Sequence, residues 1–212
     1  LFLIYAKWLW IALFVQADFC YSLMVSCICT YKGLSKLMAK IGLFYGSSTG
    51  KTEAVAYQIK EEFDKQLGSG VVEVHNIGNA TPEQVLGYNY LIMGIPTWNT
   101  GELQDDWAVF FPKIASMNLN GKKVALFGLG DQNGYGFNFL DALGVLGDEL
   151  MLYGADVYGV WSTEKYQFNE SKARVEEENY FLGLGVDEDG QTELTSGRIQ
   201  QWVKDVKAEF SL

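Results

Sequence analysis

The chain has 212 residues, with 26 acidic and 16 basic side chains and a formal net charge of −10. That length builds one domain with a full core. The acidity argues against a nucleic-acid binder, which needs clustered Lys and Arg, and one histidine with three cysteines leaves little for a protein-ligated metal centre.

Residues 1–37 differ in composition from the rest. They hold 27 hydrophobic residues, four charges (Lys7, Asp18, Lys32, Lys36) and all three cysteines, Cys20, Cys27 and Cys29. From Met38 onward there are 13 basic against 25 acidic side chains, a net −12. Three origins are open for this hydrophobic leader. A signal-type segment lacks a small-residue cleavage pattern. A membrane anchor over residues 8–29 places Asp18 near the bilayer centre, at roughly 2.5–3.5 kcal/mol. The expectation adopted is upstream sequence translated ahead of a start at Met38, with residues 38–212 as the domain.

The apolar run Ile41–Tyr45 predicts a buried strand. Val55, Ile59 and Phe63 lie four apart and predict a helix over Thr52–Leu67. Val71–Val74 reads as a second strand, and Tyr90–Ile95 as a third, stopped by Pro96. Asp105–Ile114 suits a helix, Lys123–Gly128 a fourth strand, Asn138–Tyr153 a helix and Val157–Trp161 a fifth strand. The stretch Glu164–Thr195 is polar and acidic, and reads as an insertion with a short strand or hairpin of its own. Gly197–Phe210 carries Ile199, Trp202, Val203 and Val206 on one stripe of a final helix.

Apolar strands alternating with amphipathic helices predict an α/β fold with a parallel sheet covered on both faces. The expected architecture is a doubly wound, five-stranded sheet in the order 2-1-3-4-5. Ligands then bind beyond the carboxyl ends of the strands, where loops one, three and four converge.

The first of these loops is Gly46-Ser47-Ser48-Thr49-Gly50-Lys51-Thr52. A small-residue loop entering a helix offers free amides and the positive end of the helix dipole to an anion. The loop is not a Walker A motif. Only three residues separate Gly46 from Gly50, and Tyr45 stands where the first glycine is required. A plain capping turn is the competing structural explanation, but four hydroxyls exceed what one cap requires. The second and third loops, Pro96-Thr97-Trp98-Asn99-Thr100-Gly101 and Gly130-Asp131-Gln132-Asn133-Gly134-Tyr135, each present a large aromatic. Gly128-Leu129-Gly130 does not continue into a dinucleotide fingerprint, because Asn133 occupies the third glycine position. Two aromatics and a hydroxyl cradle suit a flat ring system carrying one phosphate.

From Lys40 to Leu212 the chain resembles the long-chain flavodoxins. The three loops match in order and spacing, and Trp161-Ser162-Thr163, Phe168-Asn169-Glu170-Ser171-Lys172 and Leu182-Gly183-Leu184 resemble the insertion of that subfamily. The resemblance implies a flavodoxin-like fold and non-covalently bound flavin mononucleotide (FMN). Ser47, Ser48, Thr49, Gly50, Lys51 and Thr52 would hold its phosphate. Trp98 and Tyr135 would flank the isoalloxazine ring. Pro96, Thr97, Asn99, Thr100, Gly101, Asp131 and Gln132 would complete the site. No catalytic residue and no metal are expected, and His75, the lone histidine, reads as structural. Phe137 stands where an acidic residue is customary.

The function implied is a low-potential single-electron carrier that substitutes for ferredoxin. Its expected partners are basic redox proteins such as ferredoxin-NADP reductase and photosystem I. The domain is expected to be a cytoplasmic monomer without stable membrane association, with the plastid stroma as the site if the leader is a targeting segment. The alternative is an FMN-dependent quinone reductase or other flavin oxidoreductase of the same fold. A flavin-free receiver domain lacks its Asp cluster at Tyr45-Gly46-Ser47.

Overall fold

Runs of apolar residues with no polar face can be satisfied only by burial on both sides. Ile41–Tyr45 (β1) is such a run, and every one of its residues is buried. The chain, as a computed structural model, is described over residues 40–175 and 179–212. The expected leader, residues 1–37, lies outside the described residues.

Around β1, Val72–Asn76 (β2), Tyr90–Trp98 (β3), Lys123–Leu129 (β5) and Asp156–Tyr158 (β6) form a parallel sheet in the order β2-β1-β3-β5-β6. This is the expected doubly wound order. Lys51–Leu67 (α1) and Thr192–Phe210 (α5) cover one face. Pro82–Leu86 (α2), Asp105–Ile114 (α3) and Asp141–Leu152 (α4) cover the other. Trp202 and Phe210 of α5 and Phe110 of α3 are fully buried. Each contributes about 1.5–3 kcal/mol by leaving water. Among the described residues, no helix is long and apolar enough to cross a membrane.

Three boundaries differ from the sequence-based expectation. The strand β3 runs through Pro96 to Trp98. The Gly94 carbonyl accepts from the Gly46 amide, so Pro96, two residues on, turns its nitrogen to the same side, where β1 has ended. A missing N–H costs nothing there. Beyond Trp98 the chain turns back as Glu102–Leu103 (β4), antiparallel to β3.

The fifth strand is split. Its first half is β6, which pairs Lys123–Ala125 of β5, and the chain breaks away at Gly159, whose φ of 79° demands glycine. Its second half is Leu184–Val186 (β9), which pairs Phe127–Leu129 after the intervening insertion. The insertion holds the small antiparallel pair Trp161–Ser162 (β7) and Tyr180–Phe181 (β8). Residues 184–186, read as part of the insertion, belong to the main sheet. The last helix begins at Thr192, earlier than Gly197, with Glu193 in its first turn.

His75 lies on β2, stacked on Phe44 with ring centroids 4.9 Å apart. Its Nε2 is 2.8 Å from the Tyr88 hydroxyl, and its Nδ1 accepts from or faces Gln84 Nε2 at 3.1 Å. It is not among the residues lining the cleft described next.

Candidate functional site

A cleft of about 380 Å³ opens at the carboxyl ends of β1, β3 and β5. That volume lies within the roughly 300–1,000 Å³ of small-molecule sites. Its walls include Ser48, Thr49, Lys51 and Thr52 from the first loop, Pro96, Thr97, Trp98 and Asn99 from the second, and Asp131 and Tyr135 from the third. Ten of the fifteen residues expected from sequence thus meet in one place. Ser47, Gly50, Thr100, Gly101 and Gln132 do not line it.

The first loop is built for an anion. The helix α1 starts from Gly50, which has a φ of 83° and offers no side-chain cap. A helix start leaves its first-turn amides without intrahelical partners. The capping explanation for the hydroxyls therefore fails at α1. The Ser47 hydroxyl instead accepts from the Gly50 amide at 3.0 Å and shapes the turn. Beneath the loop, Gln104 Nε2 donates to the Ser48 hydroxyl at 3.2 Å, while Gln104 Oε1 caps α3 by accepting from the Trp107 amide at 3.4 Å. Gly46 admits this approach: a Cβ there would lie 2.5 Å from the Trp107 ring and 2.3 Å from Gln104 Oε1. Burial, then the hydrogen bond to Glu53, push the Tyr45 phenol well above its ordinary 10, so it remains a neutral donor.

The second loop is a tight reversal between β3 and β4. The Gly101 amide donates to the Trp98 carbonyl at 3.1 Å. Asn99 takes a φ of 46° and Gly101 one of 92°. A Cβ on Gly101 would also lie 2.7 Å from Asp141. This turn leaves Trp98 at the surface, 37% exposed. Thr97 is fixed by its hydroxyl, which accepts from the Ala142 amide at 3.2 Å.

The third loop is folded around Asp131. Its Oδ1 accepts from the amides of Asn133 and Gly134 at 2.9 and 2.8 Å, and its carbonyl from the Tyr135 amide at 2.9 Å. Tyr135 is left 54% exposed. The insertion braces this loop, because the Gly136 carbonyl accepts from the amides of Asn169 and Glu170. Gln132 points inward, away from the cleft. Its amide group reaches Asp187 and its Oε1 accepts from the Gln167 amide at 2.6 Å.

Leu129, Gly130, Glu188 and Asp189 also line the cleft. Sequence reasoning placed Leu129 and Gly130 beside the third loop but did not assign them to the site. Glu188 and Asp189 read as solvated charge. Their signal was the run Asp187-Glu188-Asp189 directly after an apolar triplet, as expected of a turn at a strand end. Asp189 pairs with Lys51 Nζ at 2.5 Å, with both side chains about half exposed. The cleft therefore carries three carboxylates against one ammonium. Among the described residues there is no cluster of His, Cys, Asp and Glu suited to a metal ion.

The chain matches the family model for flavodoxin over residues 43–202. It is 49% identical to a flavodoxin of Synechococcus elongatus over 175 residues, covering 82% of this chain and all of that protein. It is 45% identical to flavodoxin 1 of Escherichia coli over 175 residues, 82% of this chain and 97% of that one. A crystal structure of Fusobacterium nucleatum flavodoxin bound to flavin mononucleotide superposes with a TM-score of 0.75 at 30% identity, covering 81% of this chain and 99% of that one. The match spans the strands and all three cleft loops, and the chain belongs to the flavodoxin family.

Proposed function

We infer that the cleft binds FMN, with the phosphate on Ser48, Thr49, Lys51 and Thr52 and the isoalloxazine ring between Trp98 and Tyr135. The observation that carries this is one cleft joining an uncapped helix start to two exposed aromatics on separate loops. An anion cradle alone fits many ligands, and exposed aromatics alone fit many surfaces. Their combination fits a flat ring joined to a single phosphate. A flavodoxin solved with flavin mononucleotide shares the fold.

As a flavodoxin, the protein is an electron carrier rather than an enzyme. FMN, when bound, supplies the electron storage. The protein holds the group, shields one edge of it from water and sets the field around it. Asp131, Glu188 and Asp189 lie on the cleft wall. Their negative potential opposes the gain of negative charge by a bound ligand, and a partly dry cleft strengthens that opposition. This supports a low reduction potential. The acidic domain favours basic redox partners, with ferredoxin-NADP reductase and photosystem I as the class intended.

The test is to titrate the purified protein with FMN and follow flavin fluorescence. Quenching at one equivalent, with midpoint potentials below those of free FMN, is expected. Absence of quenching would overturn the cleft assignment. Rapid NADH oxidation by the protein alone would favour the oxidoreductase reading.

A further inference from the structure

A second cavity, of about 430 Å³, lies between the insertion and α5. It shares no lining residue with the first cleft. Trp161, Ser162 and Lys165 form the insertion side, and Leu194, Gly197 and Arg198 the helix side.

Arg198 is 6% exposed, yet its charge has no carboxylate partner among the described residues. Its Nη2 donates to the neutral Gln191 Oε1 at 2.6 Å. Its Nη1 is buried with no hydrogen-bond partner. The guanidinium is held by the Tyr166 ring, 4.1 Å away. That ring is itself fixed, since its hydroxyl donates to the Gly185 carbonyl at 2.6 Å and accepts from Trp161 Nε1 at 3.0 Å. A buried, preorganised and unneutralised cation favours an anion beside it.

Gly197 gives an independent observation. It sits inside α5, where glycine weakens a helix. Neither positive φ nor crowding requires it, because a Cβ there would meet nothing within 4 Å. What the glycine does is leave the helix wall of the cavity open. The remaining wall selects the anion. Glu164 and Glu193 share the cavity and repel a dianion. Trp161 and Leu194 offer apolar surface to the body of a ligand.

We propose that this cavity is a second binding site, for a small organic monocarboxylate with an apolar body, its carboxylate on Arg198 and its body between Trp161 and Leu194. Occupancy would tie the insertion to α5, at a distance from the electron-carrying cleft.

The probe is benzoate, titrated into the full chain while the Trp161 indole N–H is followed by NMR and assigned with Trp161→Phe. A saturable shift with a Kd of about 1 mM is expected. Arg198→Met should weaken it by about tenfold or more, as should benzyl alcohol or inorganic phosphate in place of benzoate. Gly197→Phe fills the cavity at a position with free space and should abolish the shift while the fold, read by circular dichroism, is kept. If Arg198→Met fails to fold, Gly197→Phe decides. No saturable shift, a shift undiminished in either folded variant, or an equal response to phosphate overturns the proposal.

Discussion

Gln132 and Asp187 meet inside the protein, with Gln132 Nε2 donating to Asp187 Oδ2 at 2.7 Å. Asp187 is completely buried and Gln132 is 4% exposed. The remaining partners of Asp187 are the amides of Gln132, Asp189 and Gly190. One carboxylate thus ties the aromatic loop after β5 to the turn after β9. Four N–H donors keep it charged in the interior without a cation. Gln132 acts on the cleft through this bond, without touching it. Gln132→Leu removes one charge-assisted bond and should cost about 1.5–3 kcal/mol, measured by urea unfolding. FMN affinity should fall as well, because the loop carrying Tyr135 loses its anchor. Unchanged stability would show that the amides alone satisfy Asp187.

Asp189 holds Lys51 in competition with any phosphate on the first loop. The pair is half exposed, so it adds at most a few tenths of a kcal/mol to stability. Its effect on binding has the opposite sign. Asp189→Asn frees the ammonium and removes a repulsive charge, and should tighten FMN by about threefold at low salt. The gain should shrink near 1 M salt, where the screening length is about 3 Å. Lys51→Met should weaken binding under the same conditions.

Much of this site was legible because its parts are local. A strand, a small-residue loop and a helix are contiguous at residues 41–67, and the Trp98 and Tyr135 loops each follow an apolar run. The pairing of β5 with β9 was not legible. Leu184-Gly185-Val186 is too short to announce its strand, and its partner lies 57 residues earlier. Glu188 and Asp189 reach the cleft only because β9 delivers them there, so their role was hidden with that pairing. Gln104 was missed for a related reason. Its contact with Ser48 spans 56 residues, and only its place before Asp105 at a helix start marked it.

The turn after β3 has its own constraint. Asn99 already sits at positive φ, which Asn tolerates and most residues do not. Proline at position 100 forces the preceding residue toward extended backbone. Thr100→Pro should therefore reset the Asn99–Gly101 turn and change the separation of the two midpoint potentials of bound FMN. A redox titration reads this directly. Asn99→Gly, which accepts the same φ, should leave the turn and the potentials closer to the original. Identical potentials in both variants would detach the turn from the redox chemistry.

His75 gives the protein a pH response away from the cleft. Burial lowers its pKa from 6.5, and the nearby charge of Glu73 only partly opposes this. The unfolded chain therefore takes up this proton at a higher pH than the folded one. Its contribution to stability is full above 6.5 and is lost as pH falls through the lower folded value. Glu73 acts in the same direction further down. Lys40, and then Tyr88, hold its carboxylate below 4.5, so its contribution is lost only in more acidic solution. His75→Phe keeps a ring against Phe44 but cannot titrate. Its melting temperature should vary less between about pH 7.5 and 5.5 than that of the unaltered protein. Equal slopes would assign the acid response to other groups.

Charge on the cleft wall also bears on how the carrier meets its partners. Asp131, Glu188 and Asp189 lie where a redox partner must approach a bound ring, and residues 38–212 carry a net −12. A partner with a basic face is steered toward this end by the long-range field. Screening reduces that steering before it affects contacts within the complex, because the screening length falls from about 30 Å at 0.01 M salt to about 3 Å at 1 M. Electron transfer to a basic reductase, followed by stopped flow, should slow by about tenfold or more across that range. Neutralising Glu188 and Asp189 together should flatten the dependence if the local charges dominate. A dependence unchanged in that double variant would place the steering on the rest of the acidic surface, and a flat response in the unaltered protein would remove electrostatic steering altogether.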